Sequence, residues 1–249
     1  MQKNYGLFGL DILRLKKDGY IWTFNHKDGK LIFKSHQEDT SEINQWQEVC
    51  DDFCGYFSFL INPQNELYLI YKNQYEQAIC QKITFQGKGE IYKIGFSKGE
   101  QILFQKIINM GENRLIIFIF TENYVENCWK IYSCYQENGI WMEPKIVDSG
   151  WGISPGRGTT AIGNEGQVYL VYQIFYKGEY HLVYRIYKDS IWSDRTTIVT
   201  SPEFNFAPHL TIDKEGTPHL VWLRSIKSEN YVMYTKRSKS NNFWARLLW

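Results

Sequence analysis

The segment Trp151-Gly152-Ile153-Ser154-Pro155-Gly156-Arg157-Gly158 holds the side chains of this sequence best suited to gripping a polar ligand. An indole offers a stacking face and a guanidinium a rigid fork of donors, a pair that suits a sugar ring or a carboxylate. Its three glycines let the backbone approach a ligand closely. The same residues would equally serve as a plain turn with a packing tryptophan. A second set is acidic: Asp11, Asp51, Asp52 and Glu100. Two carboxylates flanking a glycosidic bond supply proton transfer and a base or nucleophile, although acids at strand ends often do no more than face water. Third, His209 and Lys106 fall in line with Thr159, Ser58 and Ile12 when the chain is aligned on itself. A place that varies while its neighbours stay apolar is where a ligand can be read, or where water lines a tunnel.

Other chemistries find no support. Cys50-x3-Cys54 and Cys128-x5-Cys134 fit no common zinc spacing, so no metal is expected and the thiols read as small buried hydrophobes. There is no Gly-x-Ser-x-Gly, phosphate loop or dinucleotide fingerprint, so no cofactor is expected. Lys and Arg total 28 against 27 Asp and Glu, and this balance steers the chain toward neither nucleic acid nor an anionic membrane. Met1 to Leu10 lacks the pattern of a secretory signal, and the odd cysteine count suits reduced thiols, which together point to the cytoplasm.

The elements that must position these residues repeat. Trp46, Tyr92, Trp141, Trp192 and Trp244 recur at intervals of about 50 residues, the mark of one supersecondary unit copied end to end. Each copy has a tight turn between its first two strands: Lys17-Asp18-Gly19, Gln64-Asn65, Glu112-Asn113, Glu165-Gly166 and Glu215-Gly216. The second strands follow: Tyr20 to Phe24, Leu67 to Tyr71, Leu115 to Ile119, Val168 to Tyr172 and His219 to Trp222. Apolar on both parities, they predict sheets buried on both faces. Third strands carry an aromatic in four copies (Phe33, Tyr132, Tyr184, Tyr234), with Gln81 the exception. Trp141, Trp192 and Trp244 are expected at equivalent, largely buried places near the start of the outer strands.

This grammar predicts an all-β fold, a β-propeller of about five four-stranded antiparallel blades at 5–50, 51–97, 98–149, 150–200 and 201–249, forming one domain over 1–249. No strand is left over to latch the first blade to the last. The ring therefore closes by packing alone, or further blades belong to a longer chain.

Phe206-x-Pro208-x-Leu210-x-Ile212-Asp213-x-x-Gly216-x-x-His219-Leu220-Val221-Trp222, with Tyr231-x-x-Tyr234 and Trp244, resembles the repeat of bacterial sialidase-like and lectin-like β-propellers. The resemblance implies fold, since propellers host lectins, hydrolases and scaffolds alike. Sialidases of this kind carry Ser-x-Asp-x-Gly-x-Thr-Trp; Lys17-Asp18-Gly19 to Trp22 lacks the Ser and the Thr. Of the arginines that would grip a carboxylate, Arg14 and Arg157 fall on or before first strands, while Arg185 and Arg224 do not. Five-bladed glycosidases place acids on inner strands, where Asp11 would lie, with Asp51, Asp52 and Glu100 just ahead of others.

The expectation is a non-catalytic binding module whose channel mouth meets a glycan or protein partner through Trp151, Arg157 and His209. The alternatives are a degenerate glycosidase-like or sialidase-like hydrolase, and a scaffold domain of a larger protein.

Overall fold

The computed structural model describes residues 12–17, 19–27, 30–37, 45–64, 66–84, 87–111, 114–238 and 244–247. Among them are 22 strands and no helix, in five small sheets that follow one another along the chain. The first sheet holds β1 (Ile12–Lys17), β2 (Tyr20–Lys27), β3 (Lys30–Gln37) and β4 (Gln47–Cys50) in chain order. The second holds β5 (Phe53–Ile61), β6 (Leu67–Asn73), β7 (Ala78–Thr84) and β8 (Gly87–Ile94). In the third, β9 (Glu100–Asn109), β10 (Leu115–Asn123) and β11 (Cys128–Glu137) are followed by β12 (Ile140–Trp141) and β13 (Lys145–Trp151), both laid against β11.

The fourth sheet repeats that break. After β14 (Thr159–Ile162), β15 (Val168–Tyr176) and β16 (Glu179–Lys188), both β17 (Ile191–Trp192) and β18 (Thr196–Ser201) pair with β16. The fifth is β19 (Asn205–Ile212), β20 (Pro218–Ile226), β21 (Glu229–Arg237) and β22 (Trp244–Leu247). The chain forms two compact units, Met1–Ile119 with Tyr132–Lys145 and Phe120–Ile131 with Ile146–Trp249.

In the first unit one core joins Trp22, Phe24 and Phe33 of the first sheet to Phe57, Leu69 and Tyr71 of the second. Another joins Ile70 and Cys80 to Ile107, Ile117 and Cys134. In the second unit Val171, Leu182 and Tyr184 pack with Leu210, Leu220 and Trp222. Strands β6, β10 and β15 are buried on both parities over most of their length, as their apolar runs require. Strand β20 departs from this. Val221 is exposed, because among the described residues of its unit no sheet lies on that face.

The tight turns appear where expected: Gly19, Gly166 and Gly216 have φ of 78°, 78° and 80°, a region that only glycine enters without cost. Asp18, Asn65, Glu112 and Asn113 lie outside the described residues.

Trp192 stands opposite Tyr187 and Trp244 opposite Arg237, each three residues beyond a third-strand tyrosine, Tyr184 or Tyr234, that faces Val171 or Val221. Trp141 holds the corresponding place against Gln136. Their burial corrects the expectation: all three are only partly buried, since an outer strand has a neighbour on one edge alone. Trp46 is exposed, and Tyr92 stacks on Trp141 with ring centres 5.1 Å apart. The third-strand alignment is corrected, since the register sets Lys34 and Cys80, not Phe33 and Gln81, level with Tyr184 and Tyr234; Gln81 is fully buried.

Fully buried Trp22 and partly buried Trp192 should therefore differ. Urea denaturation should show Trp22→Ala losing about 3–5 kcal/mol and Trp192→Ala about 1–2 kcal/mol.

Candidate functional site

In the second and fifth sheets the end of the second strand is tied to the loop that leads into the first strand, and in the third sheet the turn after the second strand is tied to the loop that runs from β13 to β14. Gln74 N donates to Asp52 O (2.9 Å), Gly152 N to Asn127 O (2.8 Å) and Ser225 N to Phe204 O (2.9 Å). Where two loops are fixed at the head of an inner strand, side chains can be presented on a rigid frame. In the second sheet, buried Asn73 accepts from Tyr75 N (3.1 Å) and Gln77 N (2.9 Å), and its amide donates to Asp52 Oδ2 (3.1 Å). That turn carries Glu76 at φ 56°, a conformation costing a non-glycine residue about 1–2 kcal/mol.

Glu76 is held by Lys72 Nζ (2.9 Å) and accepts from Ile102 N (2.9 Å) at the head of β9. Glu100, the first residue of that strand, is 4 % exposed and accepts from the Tyr132 hydroxyl on both oxygens (3.1 and 3.0 Å). Tyr75, Glu76, Phe96 and Glu100 line one cleft of about 370 Å³. Two carboxylates, aromatic rings and a phenol thus converge, a setting in which glycosidic bonds can be cleaved. Sequence pointed to Glu100 as an acid ahead of an inner strand. It gave no sign of Glu76, whose place depends on a turn closing against another sheet. A second cleft, lined among others by Asn62, Glu66, Tyr68 and Lys82, holds a single acid. There Glu66 is engaged by Lys82 Nζ (2.6 Å) and Asn62 Nδ2 (2.8 Å).

Of the other acids, Asp51 is exposed in the bend before β5 and Asp52 serves the turn just described. Asp11 lies outside the described residues.

Trp151 ends β13 and is 75 % exposed; Arg157 is exposed in the loop that follows. His209 is exposed on β19, just past a bulge where Ala207 has φ 49°. All three belong to the second unit. The loop glycines divide in role. Gly152 and Gly156 have φ of 78° and 65°, whereas a Cβ on Gly158 would stand 2.5 Å from the Phe120 ring. Gly158 is a packing glycine, not a yielding one.

The inner-strand alignment is set by hydrogen bonds. Asn62, Met110, Gly163 and Asp213 each donate their N–H across the first turn, to Glu66, Arg114, Gln167 and Thr217. Counting back from these places Ser58, Lys106, Thr159 and His209 level with one another. In the first sheet the level falls on Arg14, opposite Thr23, and not on Ile12. Ser58 Oγ accepts from Ile107 N (3.5 Å) and Thr159 Oγ1 from Leu210 N (3.3 Å), one bond made twice. Lys106 is 6 % exposed, and burial alone pushes its pKa down to about 8.

Arg185 and Arg224 are occupied. Arg185 lies 3.7 Å and Arg195 3.5 Å from the Asp148 carboxylate, which also accepts from Tyr172 OH. Arg224 Nε and Trp222 Nε1 both donate to Asn205 Oδ1 at 3.0 Å. The residues that carry the family resemblance form a turn lock. Asp213 accepts from Thr217 N (2.7 Å) and lies 3.0 Å from His219 Nε2, while Tyr234 OH lies 2.6 Å from His219 Nδ1. The His219 bond, then that of Thr217, lowers the Asp213 pKa to about 2. With Nε2–H given to the carboxylate, Nδ1 accepts from the phenol.

Cys50, Cys80, Cys128 and Cys134 are buried; Cys54 is exposed, because it sits in a bulge of β5. Among the described residues no group of three or more His, Cys, Asp or Glu could hold a metal ion, and no helix is long and apolar enough to cross a membrane.

No protein family and no curated protein matches the sequence. Solved structures match the fold. An ulvan lyase, a polysaccharide lyase bound to -[GlcA(1-4)Rha3S]-, is similar with a TM-score of 0.67 at 8% identity over 95% of this chain and 68% of that one. An α-L-arabinanase from Penicillium chrysogenum is similar with a TM-score of 0.58 at 13% identity, over 76% of this chain and 65% of that one. An α-L-arabinofuranosidase of Fusarium graminearum gives 0.56 at 11% identity, over 76% and 64%.

At such identities the likeness establishes the fold, all-β and of the β-propeller class. The expectation of a non-catalytic binding module is corrected by these comparisons. The three structures just described are by name a polysaccharide lyase, an arabinanase and an arabinofuranosidase.

Two outcomes test the local physics. Gly158→Ala should cost about 1–3 kcal/mol by overpacking against Phe120, read by thermal melting. Lys106→Met should stabilise the fold at pH 7 by up to about 3 kcal/mol, since each unit of pKa depression is worth about 1.4 kcal/mol. The parent's folded pKa lies below the unfolded one, so the unfolded chain binds more protons and the parent gains stability as pH rises from about 8 toward 10.5. The Met variant should lack that rise.

Proposed function

We propose that this chain is a glycan-processing enzyme of the glycosidase-like kind, its five sheets the blades of one β-propeller domain. The observation that carries this reading is the pairing of Glu76 and Glu100 in one cleft at the head of β9. Glu100 is nearly sealed from solvent and accepts from Tyr132 on both oxygens, which fixes the carboxylate in one orientation. Preorganisation of that sort favours a group that must meet a reacting carbon or a water without first rearranging. Glu76 supplies the second carboxylate that acid/base cleavage of a glycosidic bond requires. Phe96 and Tyr75 give the cleft apolar faces on which a sugar can stack. Trp151, Arg157 and His209, all in the second unit, are proposed as glycan contacts in their own right, with stacking from the exposed indole and directed hydrogen bonds from the other two.

Release of reducing ends from a panel of arabinans, galactans and uronate-containing polysaccharides tests the reading. Glu100→Gln and Glu76→Gln should each lower turnover at least about 100-fold, with melting temperatures near the parent's. Trp151→Ala should weaken polysaccharide binding in affinity electrophoresis. Undiminished turnover in both carboxylate variants would overturn the assignment.

A further inference from the structure

Lys106 is the side chain whose position is hardest to account for by folding alone. It lies in the middle of inner strand β9, is 6 % exposed, and has no ion-pair partner among the described residues. Nor do the strands around it supply one. Within its unit β9 packs on β5 and β6 and lies beside β10 in the sheet. Strand β5 reads FCGYFSFLI, β6 reads LYLIYKN, and β10 as far as Ile119 reads LIIFI. None contains an aspartate or glutamate, and the sole acid on β9, Glu100, is six residues away, about 20 Å along an extended strand.

The matching place in the second sheet holds a group that does find a partner. Ser58, level with Lys106 in the second sheet, accepts from Ile107 N. In the first sheet the same level carries a second basic residue, Arg14. An amine on a residue buried to this depth without a counter-charge is costly to keep protonated. Such a residue persists where a ligand supplies the missing charge, and a strongly perturbed amine away from any structural pair marks that kind of site.

We propose that Lys106 anchors an anion-binding site on inner strand β9, taking a small oxyanion such as a carboxylate or sulfate, either free or carried by a sugar. The site is separate from the Glu76–Glu100 cleft and does not depend on the enzymatic reading. Binding reduces to one exchange: the ammonium gains the partner that the surrounding strands withhold, and the anion leaves water for a charge-assisted hydrogen bond. Because the two are linked, a bound anion holds the proton on Lys106 and the amine titrates higher.

The experiment is NMR titration of protein carrying 13C,15N-labelled lysine in anion-poor buffer, with the Lys106 signal assigned from Lys106→Met. Sodium acetate, sodium sulfate and sodium galacturonate are the probes. Addition of a bound probe should raise the Lys106 pKa by about one unit or more, a tenfold preference of the anion for the charged form. It should also raise the melting temperature of the parent and not that of Lys106→Met, a variant expected to fold at least as well. A response to acetate and sulfate as well as galacturonate assigns the site to a free small anion. A response to galacturonate alone assigns it to a sugar-borne carboxylate. The proposal is overturned if Lys106 titrates near 10.5 in anion-poor buffer, if no probe moves its pKa, or if Lys106→Met responds like the parent.

Discussion

A hydroxyl on one inner strand accepting the N–H of the next, from Ile107 to Ser58 and from Leu210 to Thr159, sets the level at which neighbouring sheets meet. Sheets packed face to face through branched side chains can slide with little change in buried area. A single directed bond removes that freedom. Once the level is fixed, the loops at each sheet's end have one placement, and the cleft holding Glu76 and Glu100 follows from it. The bond needs a short polar side chain inside an apolar interface, so the inner strands carry serine and threonine where hydrophobic packing alone would choose valine.

The apolar second strands impose the complementary condition. A strand buried on both faces, such as β6 or β15, cannot be satisfied within its own sheet. Each sheet is therefore a partial solution to its own burial, completed by its neighbour. Where its own unit supplies no sheet on one face, as along β20, Val221 is left exposed.

Much of this was legible in the residues. Strand order, turn glycines and the register of Trp192 and Trp244 follow from local patterning, because a turn and the two strands it joins are close in sequence. Glu100 was legible as an acid ahead of an inner strand. What stayed hidden depends on long-range closure. Glu76 acquires meaning only when its turn reaches Ile102, and the grip of two arginines on Asp148 only when two sheets meet. The burial of the marker tryptophans was overestimated because aromatic recurrence reports equivalence of position, not depth. The family-like motif proved to be a lock of Asp213, His219 and Tyr234, which explains why it speaks to fold and is silent about activity.

The outer strands of the third and fourth sheets are each broken in two, β12 from β13 and β17 from β18. An unbroken outer strand presents a straight row of unpaired N–H and C=O groups on which a strand from another molecule can template itself. Interrupting that row divides it into runs of two and of six or seven residues, which shortens the register that an incoming strand can share. A chain this rich in aromatic and β-branched residues is prone to cross-molecular zippering. The interruption gives it a defence that adds no charge and takes nothing from the core.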